Sequence, residues 1–400
     1  MSSVDAQTSR SETPEGDLSG ATGYLDDEAL IERLLRHIER GTTDLVADVW
    51  REPIGNYRSA ARFEAEVDLL RRRPTPFCPS AFVEAPGSFV ARSAVGVPLV
   101  AVRDRDGVVR VFKNSCRHRG TQLVEGTGCA QSLTCPFHGW TYALDGRLRR
   151  VPDEHGFPGL DRAASGLVEI GAHERDGLVF AVLDDPRGST SDHVPTMLGA
   201  PPCRALGTSE TIVAANWKIL VEGFLEGYHL RATHRDTFFP YGYDNINVVE
   251  FDGAHARITF PFRRIERLRD LPASERRLDG TVTRVHLMFP NVIVAELSAH
   301  ITMVVLEPLT VSTTNFITYQ VGPLRPADGA GGDRADATAK DLAFVELGGR
   351  EDRDMALRVQ RGLESGANSD VTFGRFEGAL GHFHRHLHAA LDHAELHPAT

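Results

Sequence analysis

Apolar residues recur at helical spacing near the beginning of the chain, at Leu30, Ile31, Leu34, Leu35 and Ile38. This period predicts an amphipathic helix over residues 26–40. A second apolar pattern predicts a helix over 60–73, because the following Pro74 cannot continue it. Residues 1–25 are rich in serine, threonine, glycine and glutamate and almost free of large apolar side chains, which predicts a flexible tail.

Short segments that alternate apolar and polar positions occupy residues 76–185. The segments "PLVAVRDRDG" and "VVRVFKN" are punctuated by Asp-Gly and glycine-rich turns, which is typical of β-hairpins. The segment "GLVFAVLDD" predicts a closing strand. We therefore expect a small antiparallel β domain, followed by a linker over 186–204, where proline, serine and aspartate predominate.

The rest of the chain, residues 205–400, predicts a larger domain with both helices and strands. "SETIVAANWKILVEGFLEGYHLRATH" predicts a strand that runs into a helix. One mainly antiparallel sheet is predicted by four apolar segments: "HARITFPF", "RVHLMFPNVIVAEL", "ITMVVLEPL" and "NFITYQVGPL". The composition of residues 325–341 predicts a flexible loop, and two helices end the chain. The last helix carries an apolar packing stripe: Phe376, Leu380, Phe383, Leu387 and Leu391.

Composition narrows the class of protein. The 400 residues are 41% hydrophobic and carry a net charge of −11 without a basic stripe, so we expect no nucleic-acid partner. No apolar run reaches the roughly 18 residues of a membrane helix, and the N-terminus has no signal core, so we expect a cytoplasmic protein without a membrane partner. Five cysteines are too few for a disulfide framework and indicate metal or redox chemistry.

Two short motifs in the β domain pair a cysteine with a histidine. Cys116 and His118 form C-x-H, and Cys135 and His138 form C-x-x-H. Two thiolates and two imidazoles suit a tetrahedral zinc or an iron–sulfur cluster with mixed ligands. Because each motif supplies one sulfur and one nitrogen, the pattern favours a two-iron cluster in which one iron takes both cysteines and the other both histidines.

The motifs "CRHRG" and "CPFHGWTYALDGRL" resemble the Rieske family, including the Gly-Trp pair after the second histidine. The resemblance implies a [2Fe–2S] cluster bound by Cys116, His118, Cys135 and His138. Cys129 lies between the motifs without a histidine at the motif spacing, and we interpret it as a free cysteine.

A second set of candidate metal ligands lies in "NWKILVEGFLEGYHLRATHRDTF", namely Glu222, Glu226, His229 and His234. Two histidines and one carboxylate form the facial triad of non-heme iron(II) oxygenases, which leaves coordination positions open for O₂ and substrate. The i, i+5 spacing of the histidines does not place both on one face of a regular helix, so we expect His234 at a helix end or an irregularity. Taken alone, this pair is weak evidence for a metal.

The same passage resembles the iron motif of Rieske non-heme iron oxygenase large (alpha) subunits, with Asn-Trp-Lys, a carboxylate three residues before the first histidine, and a second histidine five residues further on. The resemblance covers nearly all of the chain from Pro76. It implies His229 and His234 as iron ligands and Asp352, in "EDRDMALRVQRGLES", as the third. Asp354 is the alternative, and both aspartates are otherwise interpreted as solvated helix charges.

Glu226 stands where most ring-hydroxylating members carry aspartate. "EGFLEGYH" and "VQRGLES" resemble instead the choline monooxygenase and carnitine oxygenase-like branch. The resemblance implies that Glu226 is a bridge for electrons between the Rieske histidine of a neighbouring subunit and an iron-ligating histidine. The alternatives are an ordinary surface glutamate and Glu226 itself as the third iron ligand.

By resemblance, the fold is α+β, with a Rieske-type antiparallel β domain and a helix-grip-like catalytic domain that has a large antiparallel sheet and flanking helices. The helices within residues 26–75 are expected to pack on the catalytic domain, residues 205–400. The family's usual assembly, a head-to-tail trimer, implies a homotrimer for this chain.

The resemblance also implies a terminal oxygenase that hydroxylates a small organic substrate with O₂. A separate flavin/iron–sulfur reductase or ferredoxin would supply electrons, and NAD(P)H would act only through it, because the chain lacks a dinucleotide fingerprint. The glutamate-type branch favours mono-oxygenation, including demethylation or C–N cleavage, over aromatic cis-dihydroxylation. A Rieske electron carrier without oxygenase activity and a scaffold with an inactive iron site are the alternatives.

Aromatic residues follow the second histidine in "FFPYGYDN": Phe238, Phe239, Tyr241 and Tyr243. They would suit a cage for a quaternary ammonium group. Aromatic residues in a β-rich region are more often part of the core, and the sequence does not identify the substrate.

Overall fold

The computed structural model describes residues 23–183, 203–323 and 331–396. In this part of the chain the helices are α1 (Asp27–Arg40), α2 (Gly55–Arg58), α3 (Ala60–Arg72), α4 (Trp217–Glu222), α5 (Leu230–Thr233), α6 (Gly331–Glu364) and α7 (Gly378–Leu396). The two N-terminal helices predicted from apolar periodicity differ from α1 and α3 by one residue each.

Local capping explains where helix α1 begins and ends. The Asp26 carboxylate accepts a hydrogen bond from the backbone N–H of Ala29, which satisfies a free donor of the first turn. Gly41 follows the helix with φ of 60°, a left-handed conformation that glycine adopts without steric cost. The apolar face of α1 packs on a strand over Val248–Asp252 and on a 3₁₀ helix over Arg263–Asp270, so this face is part of the core.

The β domain contains a seven-stranded antiparallel sheet, whose strands are not in chain order, and a three-stranded antiparallel sheet. The large sheet has the order β2-β11-β10-β5-β4-β3-β6, and the small one β7-β8-β9. Their strands are β2 (Thr75–Pro79), β3 (Ser88–Ala94), β4 (Val97–Arg103), β5 (Val109–Lys113), β6 (Gly126–Cys129), β7 (Leu133–Thr134), β8 (Thr141–Tyr142), β9 (Leu148–Arg150), β10 (Glu169–Arg175) and β11 (Leu178–Val182).

A seven-stranded antiparallel sheet forms the centre of the C-terminal domain, in the order β12-β18-β17-β16-β15-β14-β13. Its strands are β12 (Cys203–Val213), β13 (Val248–Asp252), β14 (His255–Pro261), β15 (Val282–Met288), β16 (Val292–Glu296), β17 (Ile301–Thr310) and β18 (Thr313–Pro323). The four predicted apolar segments correspond to β14 to β18, and "RVHLMFPNVIVAEL" contains two strands. The α+β fold is confirmed.

Both faces of this sheet are covered, which follows from the alternation of side chains along each strand. Ile293 and Val304 face the core formed with helices α4, α6 and α7. Val292, Val294 and Met303 face the other way, into a core shared with strands of the β domain. The seven-stranded sheet of the C-terminal domain is therefore packed between the helices of that domain and the β domain.

A buried ion pair joins the two domains. Arg92 on β3 donates from Nη1 to Oε1 of Glu307 on β17 at 2.8 Å, and the backbone N–H of Val95 donates to Oε2 of Glu307 at 2.8 Å. Both side chains are at most 5% exposed, so neither charge could be buried without the other.

A two-stranded sheet ties the N-terminal segment to the C-terminal helices. Strand β1 (Trp50–Pro53) pairs antiparallel with β19 (Asp370–Phe373). The sequence did not predict this sheet, because its two strands are four residues long and lie more than 300 residues apart, beyond the range of any local periodicity.

The prediction of a loop over 325–341 is wrong from Gly331 onward, where α6 begins. The alanines at positions 335, 337 and 339 favour helix, and extending an existing helix costs less than starting one. Residues 324–330, residues 1–22 of the predicted tail and residues 186–202 of the predicted linker lie outside the described residues. Cys203 and Arg204 belong to β12 and not to the linker. Among the described residues, no helix combines the length and the hydropathy needed to cross a bilayer.

Candidate metal centres

Two loops of the β domain have the same backbone design. In the first, Gly120 donates its backbone N–H to the carbonyl of Cys116; in the second, Gly139 donates to the carbonyl of Cys135. Both glycines have positive φ, 78° and 74°, so a side chain at either position would be strained. Each loop therefore turns tightly just after its cysteine, with the histidine held inside the turn.

The four predicted cluster residues differ in exposure. Cys116 and Cys135 are each 3% exposed, whereas His118 is half-buried and His138 is exposed. The two imidazole rings lie with centroids 4.8 Å apart, and His118 stacks on Trp140. Two thiols on the inner side and two imidazoles on the outer side suit a two-iron cluster with one iron on each pair.

The electrostatics of the loops suit metal-bound forms of these side chains. Burial would raise the pKa of Cys135, but hydrogen bonds from the backbone N–H groups of Phe137 and His138 reverse the shift and lower it. Burial and the neighbouring His138 and Arg119 lower the pKa of His118, which favours the neutral imidazole. Thiolate and neutral imidazole are the ligand forms that bind metals. Cys129 is exposed on the edge strand β6.

His229 and His234 bracket a single helical turn. His229 is the residue before helix α5 and His234 the residue after it, so the i, i+5 spacing reflects a helix of only four residues. His234 is 1% exposed, and His229 is half-buried. As the spacing predicted, His234 lies at a helix end.

Asp352, on α6, completes a compact group with the two histidines. His234 Nε2 lies 2.8 Å from Asp352 Oδ1, His229 Nε2 lies 3.5 Å from the same oxygen, and the two Nε2 atoms are 3.2 Å apart. Ligands at about 2.1 Å on one face of an octahedral ion lie about 3 Å from one another. The three atoms therefore fit the facial arrangement of a mononuclear iron, and the exposed Asp354 does not belong to the group.

Carboxylates hold the far nitrogen of each histidine. His229 Nδ1 hydrogen-bonds to Oε1 of Glu226, whose second oxygen accepts from the backbone N–H of His229 at 3.1 Å. His234 Nδ1 hydrogen-bonds to Oε2 of Glu351 at 2.8 Å, and the hydroxyl of Thr237 donates to the same oxygen at 2.6 Å. Such carboxylate contacts orient metal-ligating imidazoles and raise their basicity. Glu226 contacts the side of His229 that faces away from Asp352.

The pKa shifts of His229 and Asp352 indicate that their surroundings favour positive charge. Burial would lower the pKa of His229, but Asp352 and Glu226 raise it to about 10. Burial would raise the pKa of Asp352, but His229 and His234 lower it. The carboxylates thus create an electrostatic site for a cation between the imidazoles.

Some of the surrounding residues were missed by sequence reasoning. Glu351 was not singled out, although it stands directly before the predicted ligand Asp352. Phe344 was also missed, because only the fold brings α6 to the segment after His234. Its ring lies 5.2 Å from Phe238 and 5.5 Å from Tyr241, and Phe238 lies 4.6 Å from His234.

The other two predicted aromatic residues lie apart from this group. The Arg263 guanidinium lies over the rings of Tyr243, at 5.2 Å, and Phe239, at 6.0 Å.

A cavity of about 30 Å³ lies beside the group of His229, His234 and Asp352, lined by Asp352, Gly223, Phe224 and Phe316 among others. This volume holds roughly two water-sized molecules.

Comparison with protein families agrees with both centres. The family described as the ring hydroxylating alpha subunit (catalytic domain) matches residues 187–393, more than half of the chain. The Rieske [2Fe-2S] domain matches residues 73–161. The chain belongs to the ring-hydroxylating oxygenase alpha-subunit family. The chain thus contains a Rieske [2Fe-2S] domain, and its His/His/Asp group is consistent with a mononuclear iron.

Several curated oxygenase components are similar to this chain over parts of their length. The carnitine monooxygenase oxygenase subunit of Escherichia coli (strain K12) is 32% identical over 198 residues, 47% of this chain and 53% of that protein. The large oxygenase component of the naphthalene 1,2-dioxygenase system of Pseudomonas aeruginosa is 31% identical over 188 residues, 43% of this chain and 42% of that protein. The chain thus spans about half the length of the curated relatives it matches.

Solved structures share the whole fold with this ring-hydroxylating alpha subunit. A crystal structure of the quaternary ammonium Rieske monooxygenase CntA superposes with a TM-score of 0.72 at 21% identity, covering 92% of this chain and 99% of that one. Naphthalene 1,2-dioxygenase from Rhodococcus sp. gives 0.66 at 16% identity, covering 91% and 98%.

Proposed function

We propose that this chain is the terminal oxygenase component of a multicomponent system and that it hydroxylates a small organic substrate with O₂. The observation that carries the proposal is the convergence of His229, His234 and Asp352 on one point, in a chain that also has a Rieske domain. A cluster in the Rieske loops would supply single electrons, and an iron(II) between the three side chains would activate O₂.

The proposed iron ligands all come from one side of the site. His229, His234 and Asp352 would hold an iron by one face, and such a ligand set leaves positions for O₂ and substrate. Glu351 and Thr237 fix the ring of His234. The neighbouring cavity of about 30 Å³ has room for a molecule the size of O₂.

Electron delivery is proposed to occur between subunits. His138 is exposed at the surface of its loop, where a neighbouring subunit can approach it, and Glu226 already contacts His229. Glu226 would then accept hydrogen bonds from imidazoles on both sides of an interface and bring the two centres together. The assembly would be a homotrimer, and a related CntA structure is described in terms of inter-subunit electron transfer.

We favour mono-oxygenation of a quaternary ammonium compound. The curated relatives include carnitine and glycine betaine monooxygenase oxygenase subunits. Phe238, Tyr241 and Phe344 form an aromatic group beside His234, and the faces of such rings attract a trimethylammonium group. One oxygen atom would enter an N-methyl group, and the other would leave as water, with two electrons supplied through a separate reductase and two protons taken from solvent.

The test combines metal analysis with product analysis. We expect about three irons per chain, and loss of about one iron together with turnover in His234→Ala, while the absorption spectrum of the cluster stays unchanged. Two irons per chain would instead indicate an electron carrier. Trimethylammonium compounds and aromatic acids are then screened by coupled O₂ uptake, and labelled O₂ should leave one labelled atom in the product.

Aromatic cis-dihydroxylation is the second candidate. The observation that favours it is the similarity to a naphthalene 1,2-dioxygenase component, which is close to the identity found for the carnitine relatives. A product with two atoms from labelled O₂ would establish this activity and overturn mono-oxygenation.

A further inference from the structure

A second group of metal-ligand side chains lies outside the two centres described above. It consists of Glu52 on β1 and of His384 and His388, one helical turn apart on α7. One ligand atom from each residue lies within 4.8 Å of the other two. The two histidines share a face of α7 because residues four apart are neighbours on a helix surface. The β1–β19 pairing is what brings Glu52 to this face.

One nitrogen in this group has no hydrogen-bond partner although it is deeply buried. The side chain of His384 is 0% exposed, and its Nδ1 makes no hydrogen bond. This atom lies 3.5 Å from Oε2 of Glu52, whose side chain is also 0% exposed. A buried polar atom without a partner costs free energy, and here it is directed at a carboxylate.

The distances suit a small divalent ion. In a tetrahedral site with bonds of about 2.05 Å, neighbouring ligand atoms lie about 3.3 Å apart. His384 Nδ1 lies 3.5 Å from one oxygen of Glu52, Oε2, and His388 Nε2 lies 2.9 Å from the other, Oε1. Either a shared oxygen or the two oxygens together could therefore face an ion between the imidazoles, and the three ligand atoms lie within 4.8 Å of one another. Two imidazoles and one carboxylate are a common protein ligand set for zinc.

The outer contacts are those of a metal site. His384 Nε2 hydrogen-bonds to Oε1 of Glu222 at 2.8 Å, and the hydroxyl of Tyr57 donates to the same oxygen at 2.7 Å. A carboxylate on the second nitrogen fixes the tautomer so that the first nitrogen presents its lone pair. On the other side, Trp50 donates from Nε1 to Glu52 Oε2 at 3.0 Å.

Asn56 contacts the group, and His388 makes it accessible from solvent. The Asn56 amide donates from Nδ2 to Glu52 Oε1 at 2.7 Å and lies 3.4 Å from His388 Nε2, so it belongs to the outer contacts of the group and not to its ligands. His388 is the accessible member of the group, because its side chain is 30% exposed.

We propose that Glu52, His384 and His388 bind a zinc-type divalent cation that holds the N-terminal segment to the last helix. The ion would join residues more than 300 positions apart in the chain and stabilise the native state, since the unfolded chain does not present these ligands together. This site is separate from the proposed iron ligands and does not depend on the oxygenase function.

The experiment measures metals in the purified holoprotein after dialysis against Zn²⁺ and removal of free ions. Wild type should contain about one zinc per chain in addition to its iron. His388→Gln and Glu52→Gln should lose this zinc but keep the cluster spectrum and the iron. His386→Gln, on the same helix but directed toward Phe289 and His382, is the matched control and should retain the zinc.

A second arm separates this site from the iron site. His234→Ala should lower the iron content and leave the zinc content unchanged. Zinc should also raise the melting temperature of wild type and not that of His388→Gln. X-ray absorption of the zinc in wild type should show nitrogen and oxygen neighbours with imidazole scattering, which keeps the test valid if a variant does not fold.

Three results would overturn the proposal: wild type that retains no zinc after dialysis, His388→Gln that retains as much zinc as wild type, or zinc that is lost in His234→Ala. The last result would place the zinc in the iron site. The first would leave the group as a network of hydrogen bonds and close polar contacts among Glu52, His384 and His388.

Discussion

His229, His234 and His384 share one feature: a carboxylate contacts the ring nitrogen that faces away from the proposed metal. Glu226 binds the far nitrogen of His229, Glu351 that of His234, and Glu222 that of His384. Each carboxylate fixes a ring and a tautomer, so the nitrogen on the opposite side is presented to a metal. Glu222 and Glu226, both candidates for iron ligation by their position in the sequence, contact histidines here in this outer role.

Glu351→Ala tests the outer contact of His234. Loss of the carboxylate should free the imidazole ring and weaken iron binding by about 10- to 100-fold, as removal of such partners does elsewhere. Iron titration of the metal-depleted protein and the rate of turnover measure the effect, with the cluster spectrum as an internal check. Glu346→Ala, an exposed residue five positions earlier on α6, is the control. Equal iron affinity in both variants would contradict the role of Glu351.

Cys129→Ser tests which cysteines bind the cluster. Because Cys129 is exposed on β6 and Cys116 and Cys135 are buried in the loops, Cys129→Ser should retain the visible absorption of the cluster. Cys135→Ser should lose it. Bleaching in Cys129→Ser would show that the ligand set was assigned incorrectly.

At the scale of elements, a buried ion pair attaches α3 to α4, the helix that leads to the iron site. Lys218 Nζ lies 2.8 Å from both oxygens of Glu66, and both side chains are 1% exposed. Trp217 donates from Nε1 to Glu66 at 2.9 Å. Burial lowers the pKa of Lys218, whereas Glu66 favours its charged form. The pair fixes the position of α4 and therefore of the segment that follows it.

Glu66→Gln should destabilise the protein, because it leaves the ammonium group of Lys218 buried without its counter-charge. Removing one partner of a buried pair typically costs about 3–5 kcal/mol of unfolding free energy. Denaturant unfolding monitored by circular dichroism measures the loss. Arg350→Ala, which breaks an exposed pair with Glu346, should leave the unfolding midpoint almost unchanged. Similar midpoints for the two variants would argue against a structural role of the Lys218–Glu66 pair.

At the scale of the whole molecule, the seven-stranded sheet separates the two proposed metal centres. The helices that carry His234 and Asp352 lie on one side of it, and the β domain with the loops of Cys116 and Cys135 lies on the other. Residues such as Val292 and Ile293 on β16 face opposite cores, so one strand connects both halves. Arg92 and Glu307 add a buried polar contact between the domains. This packing fixes the two domains relative to each other within one chain. Electron transfer is a separate matter, and we expect it to depend on the neighbouring subunit, as proposed above for His138 and Glu226.

Mixed oligomers test this expectation. Cys135→Ser lacks a cluster and His234→Ala lacks the iron site, so each should be inactive alone. If electrons pass between subunits, oligomers assembled from equal amounts of both should recover about a quarter of wild-type turnover, because that fraction of interfaces joins an intact cluster to an intact iron site. Turnover of the re-assembled mixture is compared with that of each variant. No recovery in properly assembled mixtures would indicate transfer within a chain.

Local sequence determined the features that depend on neighbouring residues. The loop motifs of Cys116 and Cys135, the single turn between His229 and His234, and the apolar alternation of the large sheet are all contained in short segments. Their backbone requirements, such as glycine at positive φ, follow from the same few residues. These features also carried the resemblance to the Rieske oxygenases, and the family membership is confirmed.

Only the tertiary structure decided the contacts between distant segments. It brought Asp352 and not Asp354 to the two histidines, placed Glu351 and Phe344 beside His234, and joined Glu52 to His388 across a separation of 336 positions. Such contacts depend on how strands pair and helices pack, and a local pattern contains no information about which distant partner is chosen. The proposed zinc site is of this kind, because its ligands become neighbours only after β1 pairs with β19.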